Sequence, residues 1–270
     1  MTWTTLQRSK LTEHIWGWTG GSGPTLMLIH GVGMRADYWS NLIPALEQHF
    51  SLIVIDMPGH GESPVLTTAT KKIKDYTNCI AHVLVSQKAP VLLAGHSMGA
   101  LISVDLASRF SKYVRAICVL NGVFQRDEFA SKAVRLRADN LDGRSVGDPS
   151  QTLERWFGHT PQGVDAVAAQ QCKDWLLSIN PLGYREAYTA FAYDDGPLES
   201  ALRGLECPAL FTTGELEPNS TPAMSRSMAS LTPMGECYEF KGAKHMMSMT
   251  HGKELSDLMT SFFRQAGALK

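Results

Sequence analysis

Short apolar runs alternate with longer stretches of helical pattern along most of the chain. Residues 26–29, 52–56, 91–94, 114–120, 208–213 and 238–240 have the length of buried strands. Between them lie a segment over 39–46, a helical pattern over roughly 73–86, and residues 98–110, apolar on most sides and predicted as a buried helix. Strand and helix in repeated succession predict an α/β fold with a mostly parallel central sheet, helices on both faces and right-handed crossovers.

From 124 to 195 the strand signal stops. Phe129, Ala133 and Leu136 fall at helical spacing, Trp175–Leu177 ends a second helix-like run, and Pro149, Pro161 and Pro181 mark starts or breaks. The stretch is too long for one crossover. It reads as a helical cap inserted over the C-terminal edge of the sheet, where open α/β sheets bind ligands. The expected division is a core of residues 1–123 and 196–270 and a cap of 124–195.

Composition narrows the function. The chain has 270 residues, 44% of them hydrophobic and 19% charged, with a formal net charge of −1. That balance attracts no polyanion, so nucleic acid is not an expected partner. The longest apolar runs are far shorter than a membrane span, and residues 1–10 are polar with no apolar signal core. A cytoplasmic protein acting on a small molecule is expected, with monomer and homodimer both open. Cys79, Cys118, Cys172, Cys207 and Cys237 are scattered without C-x-x-C spacing, which argues against a zinc site and for small buried thiols. No metal or organic cofactor is expected.

Gly95-His96-Ser97-Met98-Gly99 is a G-x-S-x-G sequence between an apolar strand and a buried-type helix. That setting is a nucleophile elbow, a strained turn that pushes a serine hydroxyl outward. Glycines two before and two after the serine are expected because side chains there would crowd it. The Met98 N–H, at the helix N-terminus, would face a developing oxyanion. His30-Gly31-Val32-Gly33 follows the first strand and offers a second N–H, that of Val32, with His30 bonded beneath the site. Asp56-Met57-Pro58-Gly59-His60-Gly61-Glu62-Ser63 lacks ligand spacing on a regular element and reads as a rigid loop on the site's rim.

Together these stretches resemble the α/β-hydrolase superfamily. With Trp39, they resemble its branch of enol-lactonases, carbon–carbon bond hydrolases and small-ester or amide hydrolases. The likeness covers nearly the whole chain and is weakest in 124–195. It implies a triad in the order serine, acid, histidine. His245, in Gly242-Ala243-Lys244-His245 after the last strand, fills the histidine position, with His251 as a rival further on. The family's acid is usually aspartate. Here that position is Glu217, with Glu215 beside it as a rival. The alternative acid position, at Leu120-Asn121-Gly122, holds no carboxylate.

The resemblance implies a serine hydrolase in which Ser97 attacks a small carbonyl compound, His245 is base and then acid, and Glu217 steadies His245. An ester or lactone comes first, then an amide or a carbon–carbon bond beside a ketone. A lyase or cofactor-free perhydrolase with the same triad, or a non-catalytic receptor on the fold, are the alternatives. Tyr38, Phe124, Trp156, Trp175 and Met246 are expected to bind substrate, with Met34, Phe157 and Met247 as further apolar candidates. For an anionic substrate Arg35 is the leading residue. Most of Arg126, Arg135, Arg137, Arg144 and Arg155 are expected on a solvated helix face.

Overall fold

A computed structural model describes residues 5–67 and 72–267. Residues 1–4, 68–71 and 268–270 of the expected core, including the start of the polar N-terminal stretch, lie outside the described residues.

Among the described residues, eight strands form one sheet: β1 (Ser9–Lys10), β2 (Trp16–Gly21), β3 (Thr25–Ile29), β4 (Ser51–Asp56), β5 (Val91–His96), β6 (Val114–Leu120), β7 (Ala209–Gly214) and β8 (Gly235–Phe240). Their order across the sheet is β1-β2-β4-β3-β5-β6-β7-β8. The pairs β1–β2 and β2–β4 are antiparallel. All pairs from β4 through β3 to β8 are parallel. The six strands read from apolar runs are the parallel ones. Interior strands β5 and β7 are buried along their whole length, as covering on both faces requires. Edge strand β8 alternates poorly and is largely exposed.

The antiparallel pair has no counterpart in the sequence reading. β2 is Trp-Gly-Trp-Thr-Gly-Gly. Glycine is a poor strand former, so pairing with β4, not local propensity, makes this segment a strand.

Among the described residues, eleven helices accompany the sheet: α1 (Ile43–Leu46), α2 (Ile73–Val85), α3 (Met98–Arg109), α4 (Glu128–Asp139), α5 (Ser150–Phe157), α6 (Gly163–Ser178), α7 (Pro181–Ala192), α8 (Glu199–Arg203), α9 (Pro222–Leu231), α10 (Met247–Thr250) and α11 (Gly252–Gln265). Helix α1 packs on α11, while α2, α3, α8 and α9 pack side by side as a second group. Helices α4–α7 come between β6 and β7. There α4 packs on α7, and α5 on α6. Pro149 precedes α5 and Pro181 opens α7, as a residue without an N–H can. The periodicity over α4 points the wrong way. Phe129 and Leu136 are 84% and 60% exposed, and Val134 and Ala138 face a small core shared with Ala192 instead. Of the five cysteines, all free, Cys118, Cys172 and Cys207 are buried, but Cys237 is exposed.

The N-terminal segment is fastened by charge. Arg8 donates to Asp37 at 2.6 and 2.8 Å and to Asp56 at 3.1 Å. Asp37 also accepts the Leu6 N–H at 2.7 Å, and Asp56 accepts the N–H groups of Ala36 (2.7 Å) and Glu62 (3.0 Å). Burial alone would raise the Asp37 pKa, but the Arg8 and Leu6 bonds hold it below the usual carboxylate range. The 56–63 turn is thereby a rigid strut tied to the start of the chain.

Replacing Arg8 by Met removes the cation that the buried Asp37 and Asp56 share, leaving Asp37 only its pair with Arg35. Urea unfolding at neutral pH is expected to show a loss of about 3–5 kcal/mol. Because the folded Asp37 pKa is depressed, its stabilisation exists above the unfolded carboxylate pKa and fades as pH falls through the folded one. The gap between wild type and Arg8→Met should therefore narrow in acid; a gap that widens contradicts the assignment.

Candidate functional site

Strand β5 runs into α3 through Ser97, whose backbone sits at φ 55° and ψ −115°. This left-handed strain in a non-glycine residue is held by the packing around it. A Cβ on Gly95 would lie 2.0 Å from the Gly99 carbonyl oxygen, and one on Gly99 would lie 2.2 Å from that of Ile29. The glycines are thus required by backbone meeting backbone, rather than by crowding of the serine. Tyr38 stacks on His96 within the turn, with ring centroids 4.7 Å apart.

The chain ends of three neighbouring strands meet beside this turn. His245 follows β8, Glu217 follows β7 and Asn121 follows β6. Nδ1 of His245 donates to Oε2 of Glu217 at 2.7 Å, and the Glu217 side chain has no exposure. Oε1 of Glu217 accepts the N–H groups of Asn219 (2.7 Å) and Ser220 (3.1 Å). Burial alone would raise the Glu217 pKa. The charge and hydrogen bond of His245, with the two loop N–H groups, bring it below the usual value. Glu215 instead accepts the Gly242 N–H at 2.9 Å at the exposed surface. His251 bonds Thr250 at 2.9 Å.

Three buried histidines, His30, His60 and His96, act as neutral cross-links. His96 Nε2–H donates to the His245 carbonyl at 2.9 Å, and burial, then the neighbouring His245, push its pKa well below the ordinary value. His30 accepts the Met57 N–H (2.9 Å) on Nε2 and donates from Nδ1 to the Gly31 carbonyl (2.7 Å). His60 accepts the Gly33 N–H at 3.0 Å, and burial lowers its pKa to about 4. The 30–33 turn is pinned on both sides of Val32. Among the described residues the Val32 N–H has no acceptor. The Met98 N–H, first in α3, has no intrahelical one.

A cavity of about 360 Å³ opens above the turn, lined by Ser97, Val32, Asn121 and His245 from the sheet side and by α4, α5 and α7 on the other. Trp156 of α5 lies nearly parallel over the His245 ring, centroids 5.9 Å apart at 18°. No described residue hydrogen-bonds the Ser97 hydroxyl, and in unliganded sites such bonds often form only with substrate. A serine hydroxyl, an imidazole backed by a buried carboxylate and two N–H groups without acceptors suit acyl transfer. Among the described residues no group of three His, Cys, Asp or Glu side chains could hold a metal ion.

The structure brings Ser97, His245, Val32 and Trp156 to this cavity, with Glu217 behind His245. Five expected substrate contacts are not in its wall. Arg35 is spent on Asp37, 2.6 Å away. Tyr38, Phe124, Trp175 and Met246 are buried in the main core, as are Met34, Phe157 and Met247. Burying large apolar surface is what folding rewards, so such side chains vanish into the core before they can line a pocket. Met98 also keeps its side chain in the core. Asn121, which carries no carboxylate and was not among the expected site residues, also lines the cavity. Its Nδ2 lies 3.3 Å from Oε2 of Glu217, and its backbone is left-handed at φ 51°. An asparagine after a strand, next to an acid position, is the signal that was available. Arg126, Arg137 and Arg155 also line the cavity instead of a solvated face.

The α/β-hydrolase fold family model matches residues 24–252. The chain is 37% identical over 246 residues to an (E)-2-((N-methylformamido)methylene)succinate hydrolase of Acinetobacter baylyi, covering 90% of this chain and 91% of that protein. It is 26% identical to a pimeloyl-[acyl-carrier protein] methyl ester esterase of Chromobacterium violaceum, covering 87% and 92%. Among solved structures it resembles the enol-lactonase from Burkholderia xenovorans, with TM-score 0.79, 21% identity and coverage of 93% and 96%. Among the described residues no helix is long and apolar enough to cross a membrane. With its eight-stranded, mostly parallel sheet, the chain belongs to the α/β-hydrolase family.

Proposed function

We propose that the chain is a serine hydrolase that cleaves a small acyl compound through a covalent acyl-enzyme. Ser97 Oγ attacks the carbonyl carbon while His245 Nε2 takes its proton. The N–H groups of Val32 and Met98 hold the oxyanion. His245 returns the proton to the leaving group, and water then releases the acyl chain by the reverse sequence. Glu217 fixes the imidazole tautomer and balances its charge. Residues 124–195 act as the cap, and Trp156 brings that cap onto the catalytic ring. The observation that carries this reading is the buried 2.7 Å bond from His245 to Glu217 in the wall that presents strained Ser97.

The relatives bear on the bond. One is named for a succinate with an N-methylformamido group, others for a methyl ester, and a fold neighbour is a lactonase. Esters, lactones and N-acyl compounds share one tetrahedral intermediate. The proposed substrate is a small molecule with one of these groups, and the reaction as written uses no metal or organic cofactor.

A fluorophosphonate probe should label wild type once, on Ser97, by mass spectrometry. Ser97→Ala should take no label and lose at least about a thousandfold in kcat on a short activated ester, while its thermal midpoint stays near that of wild type. Labelling of another residue, or retained turnover, would remove Ser97 from the role.

Glu217→Gln should lower kcat by on the order of a hundredfold or more, while Glu215→Gln, which removes only a loop contact, should change it little. The reverse order would move the acid to Glu215. Since the Glu217 pKa is held below the usual carboxylate value, this carboxylate stays charged at neutral pH. Activity should fall with decreasing pH as a single proton is taken up, because the imidazolium cannot act as base. A two-proton acid limb in kcat/KM would show that Glu217 titrates with it.

A further inference from the structure

The arginines between β6 and β7 divide by what answers them: Arg203 pairs with Glu199 at 3.2 Å, and Arg144 lies exposed to solvent. Arg126 pairs with Asp195 at 3.3 Å and donates to the Asp194 carbonyl at 2.6 Å. Arg135 pairs with Asp195 at 2.7 Å and Arg185 with Glu186 at 2.7 Å. Arg137 and Arg155 differ. Both line the Ser97 cavity and both are half-buried. Arg137 donates from Nε to the Tyr188 hydroxyl at 3.1 Å, and Arg155 donates to the Thr152 hydroxyl at 2.8 Å. Among the described residues neither has an ion-pair partner.

The two cations also feel each other. Burial lowers the Arg155 pKa, and the neighbouring Arg137 charge lowers it further. Like charges, partly desolvated and without a counter-ion, are costly in a folded protein. Among the described residues, the carboxylate in the cavity wall is Asp127, and it is engaged at the start of α4, where it accepts the Ala130 N–H at 2.7 Å. Two guanidinium forks facing a cavity, with hydroxyls beside them, match the planar two-oxygen geometry of a carboxylate.

We propose that Arg137 and Arg155 form an anion subsite that receives a free carboxylate on the substrate, so that the acyl compound cleaved at Ser97 is a derivative of a dicarboxylic acid. The subsite rests on the hydrolase reading for what lies at Ser97. It stands on its own for what lies at the arginines. The carboxylate docks on helices α4 and α5 while the scissile carbonyl lies over the sheet edge. Binding energy from the remote charge thus orients the reacting group.

Two matched esters test it: 4-nitrophenyl butyrate and the 4-nitrophenyl monoester of succinate, which differ in a terminal carboxylate. Wild type should favour the succinate ester in kcat/KM by about tenfold or more. Arg137→Met and Arg155→Met should each cut that preference by about tenfold, chiefly through KM, and Arg155→Lys should restore part of it. Unchanged fluorophosphonate labelling of Ser97 shows that each variant is folded. Calorimetric titration of succinate into Ser97→Ala reads the subsite without turnover: binding is expected, and Arg155→Met added to it should abolish binding. If neither ester is cleaved but succinate still binds through the arginines, the subsite holds and the hydrolase reading fails. If the esters are cleaved without preference and succinate does not bind, or both esters suffer equally in the arginine variants, the subsite is overturned.

Discussion

A carboxylate with no exposure sits under the C-terminal edge of the sheet, and the loops around it are arranged to keep it charged. An unpaired buried charge costs several kcal/mol, and that cost falls on every conformation that leaves it unpaired. Glu217 escapes it through His245, two N–H groups of its own loop, and Asn121. Three strand ends must therefore be in register for one side chain to be satisfied. Thr213 reinforces the arrangement by donating to the Ser220 carbonyl at 2.8 Å, which closes the loop beneath the carboxylate. Asn121 accepts a left-handed backbone to aim its amide at the same oxygen. The geometry offered to Ser97 is thus a consequence of solvating one charge with protein instead of water.

Around that charge the histidines divide by environment. His30, His60 and His96 are buried among backbone groups and held neutral by burial, so each offers one donor and one acceptor in a fixed tautomer. They serve as rigid spacers between loops. His245 alone has a carboxylate on one nitrogen and the cavity on the other side. The proton-transferring role proposed for it, and a structural one for the other three, rest on what each ring touches.

What could be read from the sequence depended on whether the signal was local. The interior parallel strands are continuous apolar runs because both their faces are buried, and the elbow is legible because its serine and both glycines fall within five residues. Strand β2 was not legible, since its Gly-rich sequence becomes a strand only by pairing with β4. The apolar candidates failed for a related reason. Tyr38, Phe124, Trp175 and Met246 look the same in sequence whether they line a pocket or fill a core, and folding takes them for the core. Phe129 and Leu136 show the converse, with apolar spacing on a helix whose packed face is elsewhere. Charge was misread in the same way. Arg35 lies close in sequence to the 30–33 turn but is claimed by Asp37, while Arg137 and Arg155, far away in sequence, have no ion-pair partner among the described residues at the cavity.

Glutamate at position 217, where the resemblance implied an aspartate, has a geometric reason in this loop. Oε1 turns back to accept from Asn219 and Ser220, the second and third residues after Glu217, while Oε2 reaches His245. An aspartate on the same backbone would fall short by one carbon–carbon bond, about 1.5 Å. It could keep the loop N–H bonds or the imidazole bond at these lengths, but not both without moving the loop. Moving the loop would in turn draw Thr213 and Asn121 out of their contacts with it. The extra methylene and the conformation of residues 214–221 are therefore one feature, and the longer acid belongs to the way this chain satisfies its buried charge.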